Sequence, residues 1–264
     1  MLHLVDLALS ENPLLQTPLH FPLKAIPYSA EGKQNLVLLG KVKKERVQEL
    51  SGKKVEIVAI IFDKEDNIVN IKREETDFSK LPEGNIYFFS SLSLNPNEYK
   101  CRLVIRNLES GRGAVACSSA IIPKVPDYGV MLYPPIILKA EKDVFYFKVS
   151  SASFPFDPAQ YSPLVEELEH GTESLFAAVR CSLAGIQEAE IELSANLLEY
   201  KGKTIKAIPK TISILDNYRK DDTEIFFIKI QTEELEPGEY LLYLFAKESK
   251  SESNSQTNTS FKVK

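Results

Sequence analysis

Apolar and polar residues alternate in short runs along most of the chain, and turn-forming residues separate the runs. Period-two alternation is the mark of a half-buried β-strand, because successive side chains point to opposite sheet faces. Runs of this kind predict strands over Phe21–Tyr28, Asn35–Lys43, Lys54–Phe62, Ile68–Glu75, Ile86–Leu92, Glu98–Arg106 and Gly113–Ile122. Glu98–Arg106 shows the pattern clearly: Tyr99, Cys101, Leu103 and Ile105 share one face, Lys100, Arg102 and Arg106 the other. Pro123-Lys-Val-Pro-Asp-Tyr-Gly129 then reads as a linker, since prolines and glycine do not continue a central strand. Beyond it, strands are predicted over Val130–Leu138, Val144–Ser150, Leu175–Leu183, Ala189–Leu198, Thr204–Ile214, Glu224–Gln231, Glu239–Lys247 and Thr259–Val263. The polar run Glu248–Ser260 predicts a hairpin loop before a short last strand. Ser162 as N-cap, Pro163 at the first helical position and Gly171 as stop predict one short helix, within an insertion over Ser153–Ser174.

The two halves repeat. Leu94-Asn-Pro-Asn-Glu-Tyr99 matches Leu235-Glu-Pro-Gly-Glu-Tyr240, with Tyr240 lying 141 positions after Tyr99. Val55–Phe62 loosely parallels Ala189–Leu198 upstream, and Ile68–Glu75 parallels Thr204–Ile214. Proline stops one strand, the next residue turns the chain, and the tyrosine ring enters the core with its hydroxyl directed to backbone at the corner. Tyr99 and Tyr240 are thus expected to be structural tyrosine corners. The predicted fold class is all-β: two tandem Ig-like (fibronectin III-like) antiparallel β-sandwiches, with one short helix in the insertion of the second. The expected division is a connector over 1–19, a first sandwich over 20–124 and a second over 125–264.

Composition narrows the functions. The 264 residues carry a formal net charge of −5, which argues against nucleic acid as a partner, because phosphate neutralisation needs a basic stripe. No window approaches the ~20 apolar residues of a membrane helix. Three His and three Cys make a Cys/His metal or nucleophile site hard to build, and none of His3, His20 and His170 has a second ligand at metal spacing. No Gly-x-Ser-x-Gly occurs, and Gly111-Arg-Gly113 reads as a hairpin turn rather than a phosphate loop. The absence of Trp removes the antibody-type core and weakens sugar binding. The expectation is therefore no enzyme, no catalytic residue and no cofactor. Two acidic turns, Asp63/Glu65/Asp66 and Asp221/Asp222, read either as solvated hairpins or as Ca²⁺ ligands. Cys101 and Cys117 fall on neighbouring predicted strands, either free or disulfide-bonded. The N-terminus lacks a basic n-region, and Asp6 interrupts its apolar run, so no signal peptide is read there and the chain taken literally is cytoplasmic.

His20-Phe-Pro-Leu-Lys-Ala-Ile-Pro-Tyr28, the stretch from Leu94 to Gly113 with its Ser-Gly-Arg hairpin, Phe154-Pro-Phe-Asp-Pro158 and the final Leu-x-Pro-Gly-x-Tyr carry a further signal. Together they resemble the C-terminal tandem Ig-like region of bacterial von Willebrand factor A-related proteins. The Asp-x-Ser-x-Ser adhesion motif of the A domain is missing; Asp77-Phe-Ser-Lys-Leu81 lacks the second Ser. The resemblance implies the tail of such a protein without its A domain, and an extracytoplasmic location.

One contrast between the repeats points to recognition. In the second copy, Leu241, Tyr243 and Phe245 make the outward face of the penultimate strand apolar, where the first copy places Lys100, Arg102, Val104 and Arg106. An apolar second face calls for a cover: the partner domain, the insertion, a protein partner or a dimer interface. The reading that follows is a structural or protein-interaction module; the alternative is a domain pair that binds a glycan or Ca²⁺.

Overall fold

The structure, a computed structural model, describes residues 21–30, 32–43, 54–77, 84–109, 113–142, 144–149, 153–186, 188–201, 204–209 and 212–264. The expected connector, His3, His20 and most of the Gly111-Arg-Gly113 turn lie outside the described residues. Among the described residues the chain is all-β, with eighteen strands and no helix. It divides into two compact units. One takes Met1–Ile26, Leu36–Ile122 and Asp143–Ser153; the other takes Pro27–Asn35, Pro123–Lys142 and Phe154–Lys264.

The first unit contains β1 (Leu23–Ala30), β2 (Lys33–Lys43), β3 (Val55–Phe62), β4 (Ile68–Thr76), β5 (Asn85–Ser93), β6 (Asn97–Asn107) and β7 (Gly113–Ile122), the hairpin tip between β1 and β2 falling in the second. Two four-stranded sheets form, β1-β2-β5-β10 and β4-β3-β6-β7, where β10 is Phe145–Lys148. Their facing side chains make one core: Leu36 and Leu38 on β2, Ile86 and Phe88 on β5, Ile57, Ala59 and Ile61 on β3, and Tyr99, Cys101, Leu103 and Ile105 on β6. Two sheets sharing one apolar layer constitute a β-sandwich. Phe145–Lys148, read as part of the second domain, instead pairs in parallel with Ile86–Phe89. Phe145 and Phe147 pack on the first core, and the Phe147 ring lies 6.1 Å from that of Phe88. A parallel partner can lie far along the chain, so local pattern does not reveal it.

The second unit continues with β8 (Gly129–Leu132), β9 (Ile136–Ala140), β11 (Tyr161–Pro163), β12 (Ser174–Ala184), β13 (Ile191–Lys201), β14 (Thr204–Ile208), β15 (Ile212–Lys220), β16 (Thr223–Gln231), β17 (Gly238–Glu248) and β18 (Asn254–Val263). One sheet runs β11-β9-β12-β16-β15, with β8 also on β12; the other runs β14-β13-β17-β18. Leu175, Val179, Ile228 and Ile230 meet Leu197, Tyr240, Leu242 and Leu244 in its core.

Four expectations change here. Val130–Leu138 is not one strand but two, β8 and β9, broken at Tyr133-Pro-Pro135. No helix follows Ser162. Tyr161–Pro163 is an edge strand on β9, where the missing N–H of proline is tolerated. The Ser162 hydroxyl donates to Glu141 instead of capping a helix. Leu164, Val165 and Leu168 are buried, and Gly171 keeps the expected positive φ (80°) in a turn. Thr204–Ile214 is not one strand: β14 pairs with β13 and β15 with β16, in different sheets. The polar run before the last strand is itself strand from Asn254 onward, paired residue for residue with β17. Its serines and threonines alternate with amides, so polar residues follow the sheet period with few apolar ones to mark it.

Candidate functional site

Each sandwich owns one sheet built round a tyrosine, and the outward faces of these two sheets are the regions to compare. In the first, the Tyr99 hydroxyl donates to the Asn95 carbonyl at 2.8 Å. In the second, the Tyr240 hydroxyl donates to the Glu236 carbonyl at 2.7 Å. Each bond closes the corner that the proline opens and lets the ring stay buried with its polar end satisfied. Tyr240 also stacks on Phe261, ring centres 5.6 Å apart.

Outward on the first sheet, Val58, Ile60 and Phe62 of β3 and Val104 of β6 form a small buried cluster. Arg102 lies over the Phe62 ring at 5.1 Å. Glu56, fully buried on the same face, pairs with Arg73 of β4. This face covers itself with the stems of its own cations.

Outward on the second sheet, the register aligns Leu198, Asn196 and Ser194 of β13 with Leu241, Tyr243 and Phe245 of β17. On the other side of β17 stand Ser260, Asn258 and Gln256 of β18. Leu241, Tyr243 and Phe245 are half-buried, and the Tyr243 hydroxyl donates to the Gln256 side-chain oxygen. Tyr200 and Ile205 extend the apolar surface at 38% and 56% exposure. A shallow depression lies at that end, lined by Tyr200, Glu239, Leu241, Ser260, Phe261 and Lys262. The result is an aromatic and aliphatic stripe between two rows of small uncharged polar groups. Sequence pattern identified Leu241, Tyr243 and Phe245; it did not identify Leu198 and Tyr200, which join the stripe only through the β13–β17 register.

The acidic turns are internally committed. One Asp63 carboxylate oxygen accepts the Glu65 and Asn67 amides at 3.0 and 2.9 Å, and Asp66 pairs with Lys100 at 2.7 Å. Asp222 accepts from the Thr223 hydroxyl at 3.2 Å, and Asp221 carries the positive φ (54°) of its hairpin. Among the described residues no three His, Cys, Asp or Glu side chains gather as a cation site. Cys101, Cys117 and Cys181 are free thiols. Cys101 faces the core, whereas Cys117, opposite Arg102 in the register, is exposed on the other face. Burial pushes the Cys101 and Cys181 thiols up to about 12, away from the thiolate form a nucleophile needs. His170 Nδ1 lies 3.0 Å from the Leu235 carbonyl, a tie between two turns of the second unit.

A buried polar cluster in the second unit escaped the sequence reading. The Arg180 guanidinium stacks over the Tyr28 ring at 4.8 Å and donates to the Ser29 carbonyl at 2.8 Å. Nearby, Tyr133 is buried, and loss of solvent pushes its hydroxyl up to about 12. These groups meet across more than a hundred residues of chain, so no local motif announces them.

No family model matches the chain, and no curated protein does. Among solved structures, the ICAM-5 D1–D4 ectodomain fragment is similar at 12% identity and a TM-score of 0.25, over 91% of this chain and 53% of that one. The chain thus spans about half the length of that fragment. The sandwich architecture above rests on this chain's own strand pairing and cores.

Proposed function

We propose that the chain is a non-enzymatic structural or protein-interaction module made of two Ig-like, fibronectin III-like sandwiches. The strand order supports the Ig-like reading: in each unit the tyrosine strand lies between its partner strand and the last strand, opposite a second sheet. The observation that carries the interaction reading is the outward stripe of Leu198, Tyr200, Leu241, Tyr243 and Phe245 on a rigid sheet. Interface centres favour aromatic residues and are poor in charge, which is the composition of this stripe. The sequence resemblance to the von Willebrand factor A-related tail adds an exported or cell-envelope setting to the proposal.

A photoreactive residue in place of Tyr243 tests it in the cells that make the protein. The expected result is a crosslink to one protein species, lost when Leu241 and Phe245 are changed to Ser. Absence of any crosslink, with the sandwich intact by circular dichroism, overturns the reading.

A second reading has an observation of its own. Asn196, Gln256 and Asn258 flank the Tyr243 ring, and amides beside an aromatic face suit a sugar ring. Binding of an oligosaccharide that quenches Tyr fluorescence, abolished by Tyr243→Ala, would favour a glycan ligand over a protein.

A further inference from the structure

We propose that the second sandwich pairs with a second copy of itself through the free edge of β18, joining the two β14-β13-β17-β18 sheets into one. The argument concerns main-chain groups and does not depend on what the outward stripe binds.

The hydrogen-bond phase of β18 is fixed by its neighbours. The Glu248 N–H donates to the Ser253 carbonyl at 2.8 Å, so odd-numbered residues of β18 bond to β17. Even-numbered residues therefore direct N–H and C=O away from the sheet. At the far end this is visible, because the Lys262 carbonyl accepts from the Leu168 amide at 2.7 Å. Leu168 thus closes the edge at Lys262. The residues left open are Asn254, Gln256, Asn258 and Ser260, all with exposed side chains. Among the described residues no strand pairs with them from outside.

Natural edge strands are protected by charge, proline, bulges or brevity. Other edges here show such devices. β4 carries Lys72, Arg73, Glu74 and Glu75; β15 carries a bulge between Ile214 and Asp216; β14 has five residues. β18 has ten residues, no proline and no charge from Asn254 to Phe261. β7, the equivalent edge of the first unit, is also uncharged, but it adjoins the Lys100, Arg102 and Arg106 row. Two copies meeting there would hold like-charged rows three strand spacings, about 14 Å, apart.

The open stretch is also complementary to itself. It is centred on Thr257, so an antiparallel two-fold pairing places Asn254 opposite Ser260 and Gln256 opposite Asn258 of the second copy. All four open residues of each copy are then used, with about eight main-chain hydrogen bonds. Amide meets amide on the outward face, where each side chain can donate and accept. A two-fold, self-matching patch is what a closed homodimer requires. The occupant is therefore a second copy of this chain.

Sedimentation equilibrium of the full chain across a concentration series tests the proposal. The expected result is a monomer–dimer equilibrium. Asn258→Pro removes only an outward N–H and should weaken dimerisation at least about tenfold. The doubly lysine-substituted chain, Gln256→Lys with Asn258→Lys, should be monomeric, as should the corresponding doubly glutamate-substituted chain. Mixing these two should restore a dimer, because each Lys then faces a Glu. Tyr200→Asp, on β13 with β17 between it and the edge, should leave dimerisation intact, separating the edge from the stripe. A wild-type chain that stays monomeric to its solubility limit overturns the proposal. So does a dimer that survives the double lysine substitution, or a mixture that fails to re-form one.

Discussion

The two tyrosine-centred sheets share a main-chain plan and differ in their outward chemistry. Both tyrosines bond to the carbonyl four residues back. Both penultimate strands end on a residue that caps the next turn: Asn107 accepts the Glu109 amide at 2.8 Å, and Glu248, 141 positions later, accepts the Lys250 amide at 3.1 Å. Main-chain bonds of the same kind extend both central ladders by one step, Leu108 N–H to Lys54 beside β3 and Ser249 N–H to Glu190 beside β13, each at 3.0 Å. Outward, the first sheet buries Val58, Ile60, Phe62 and Val104 beneath its own charged side chains, while the second leaves Tyr243 and Phe245 half-exposed between amides and hydroxyls. The plan therefore depends on inward residues and corners. The outward face is free to diverge, one becoming a second small core and the other a surface.

A charge placed on each outward face separates these roles most sharply. Val104→Asp should cost more than about 4 kcal/mol, because it buries a carboxylate among Val58, Ile60 and Phe62. Tyr243→Asp should cost about 1 kcal/mol or less, since its ring is partly solvated already. Urea denaturation followed by amide exchange in β6 and β17 reads both; equal losses would show that the two faces are equally buried.

Arg73→Met comes next. It leaves Glu56 buried without its cation and should destabilise the first unit by about 3 kcal/mol. The double variant Glu56→Met with Arg73→Met should recover most of that loss. If the single variant is neutral in the same denaturation experiment, the ion pair is not what keeps Glu56 inside.

At the corners the two sheets should respond alike. Tyr99→Phe and Tyr240→Phe each remove one hydroxyl bond and should each cost about 1 kcal/mol. A clear inequality between them, by the same exchange measurement, would break the equivalence that the repeat suggests.

The smallest difference is a matter of pH. Hydrogen bonds from the Ser251 side chain and amide, joined by the amides of Lys250 and Glu190, hold the Glu248 carboxyl at about 2, below its ordinary 4.5. A depressed carboxyl contributes stability that is complete above the unfolded value and is lost as pH falls through the folded one. The turn between β17 and β18 should therefore hold at pH 5 and fray between about pH 4.5 and 2, seen as faster exchange at Ser251 and Lys250. Asn107 does not titrate, so the equivalent Glu109 amide should show no such acid step. An acid step at both turns, or at neither, would remove Glu248 as its cause.

Much of this was legible in the chain itself. Tyr99, Cys101, Leu103 and Ile105 face the core because their strand alternates, Val104 alone breaking the polar row, and the two Leu-x-Pro-x-x-Tyr segments mark equivalent corners. What escaped did so for identifiable reasons. Ser162, Pro163 and Gly171 satisfy the local chemistry of a helix start and stop, yet the segment bonds through its main chain to distant strands: Tyr161–Pro163 pairs with β9, Leu164 N–H donates to the Ile137 carbonyl and Leu168 N–H to the Lys262 carbonyl. Asn254–Ser260 lacks the apolar residues by which alternation is recognised, and becomes strand because β17 offers a ten-residue ladder. In the interaction stripe, Leu241, Tyr243 and Phe245 share one strand and could be read together; Leu198 and Tyr200 come from another strand and could not.

Sequence alone determined the all-β class, the inward face of each long strand and the pair of tyrosine segments, because these follow from steric and hydrophobic preferences acting over a few residues. Tertiary structure decided the rest. It gave Phe145–Lys148 to the sheet of the first unit, split Thr204–Ile214 between two sheets and left β18 with an open, uncharged edge. Each of those outcomes depends on which distant strand supplies hydrogen bonds and apolar cover, and that competition is settled only when the whole chain is packed.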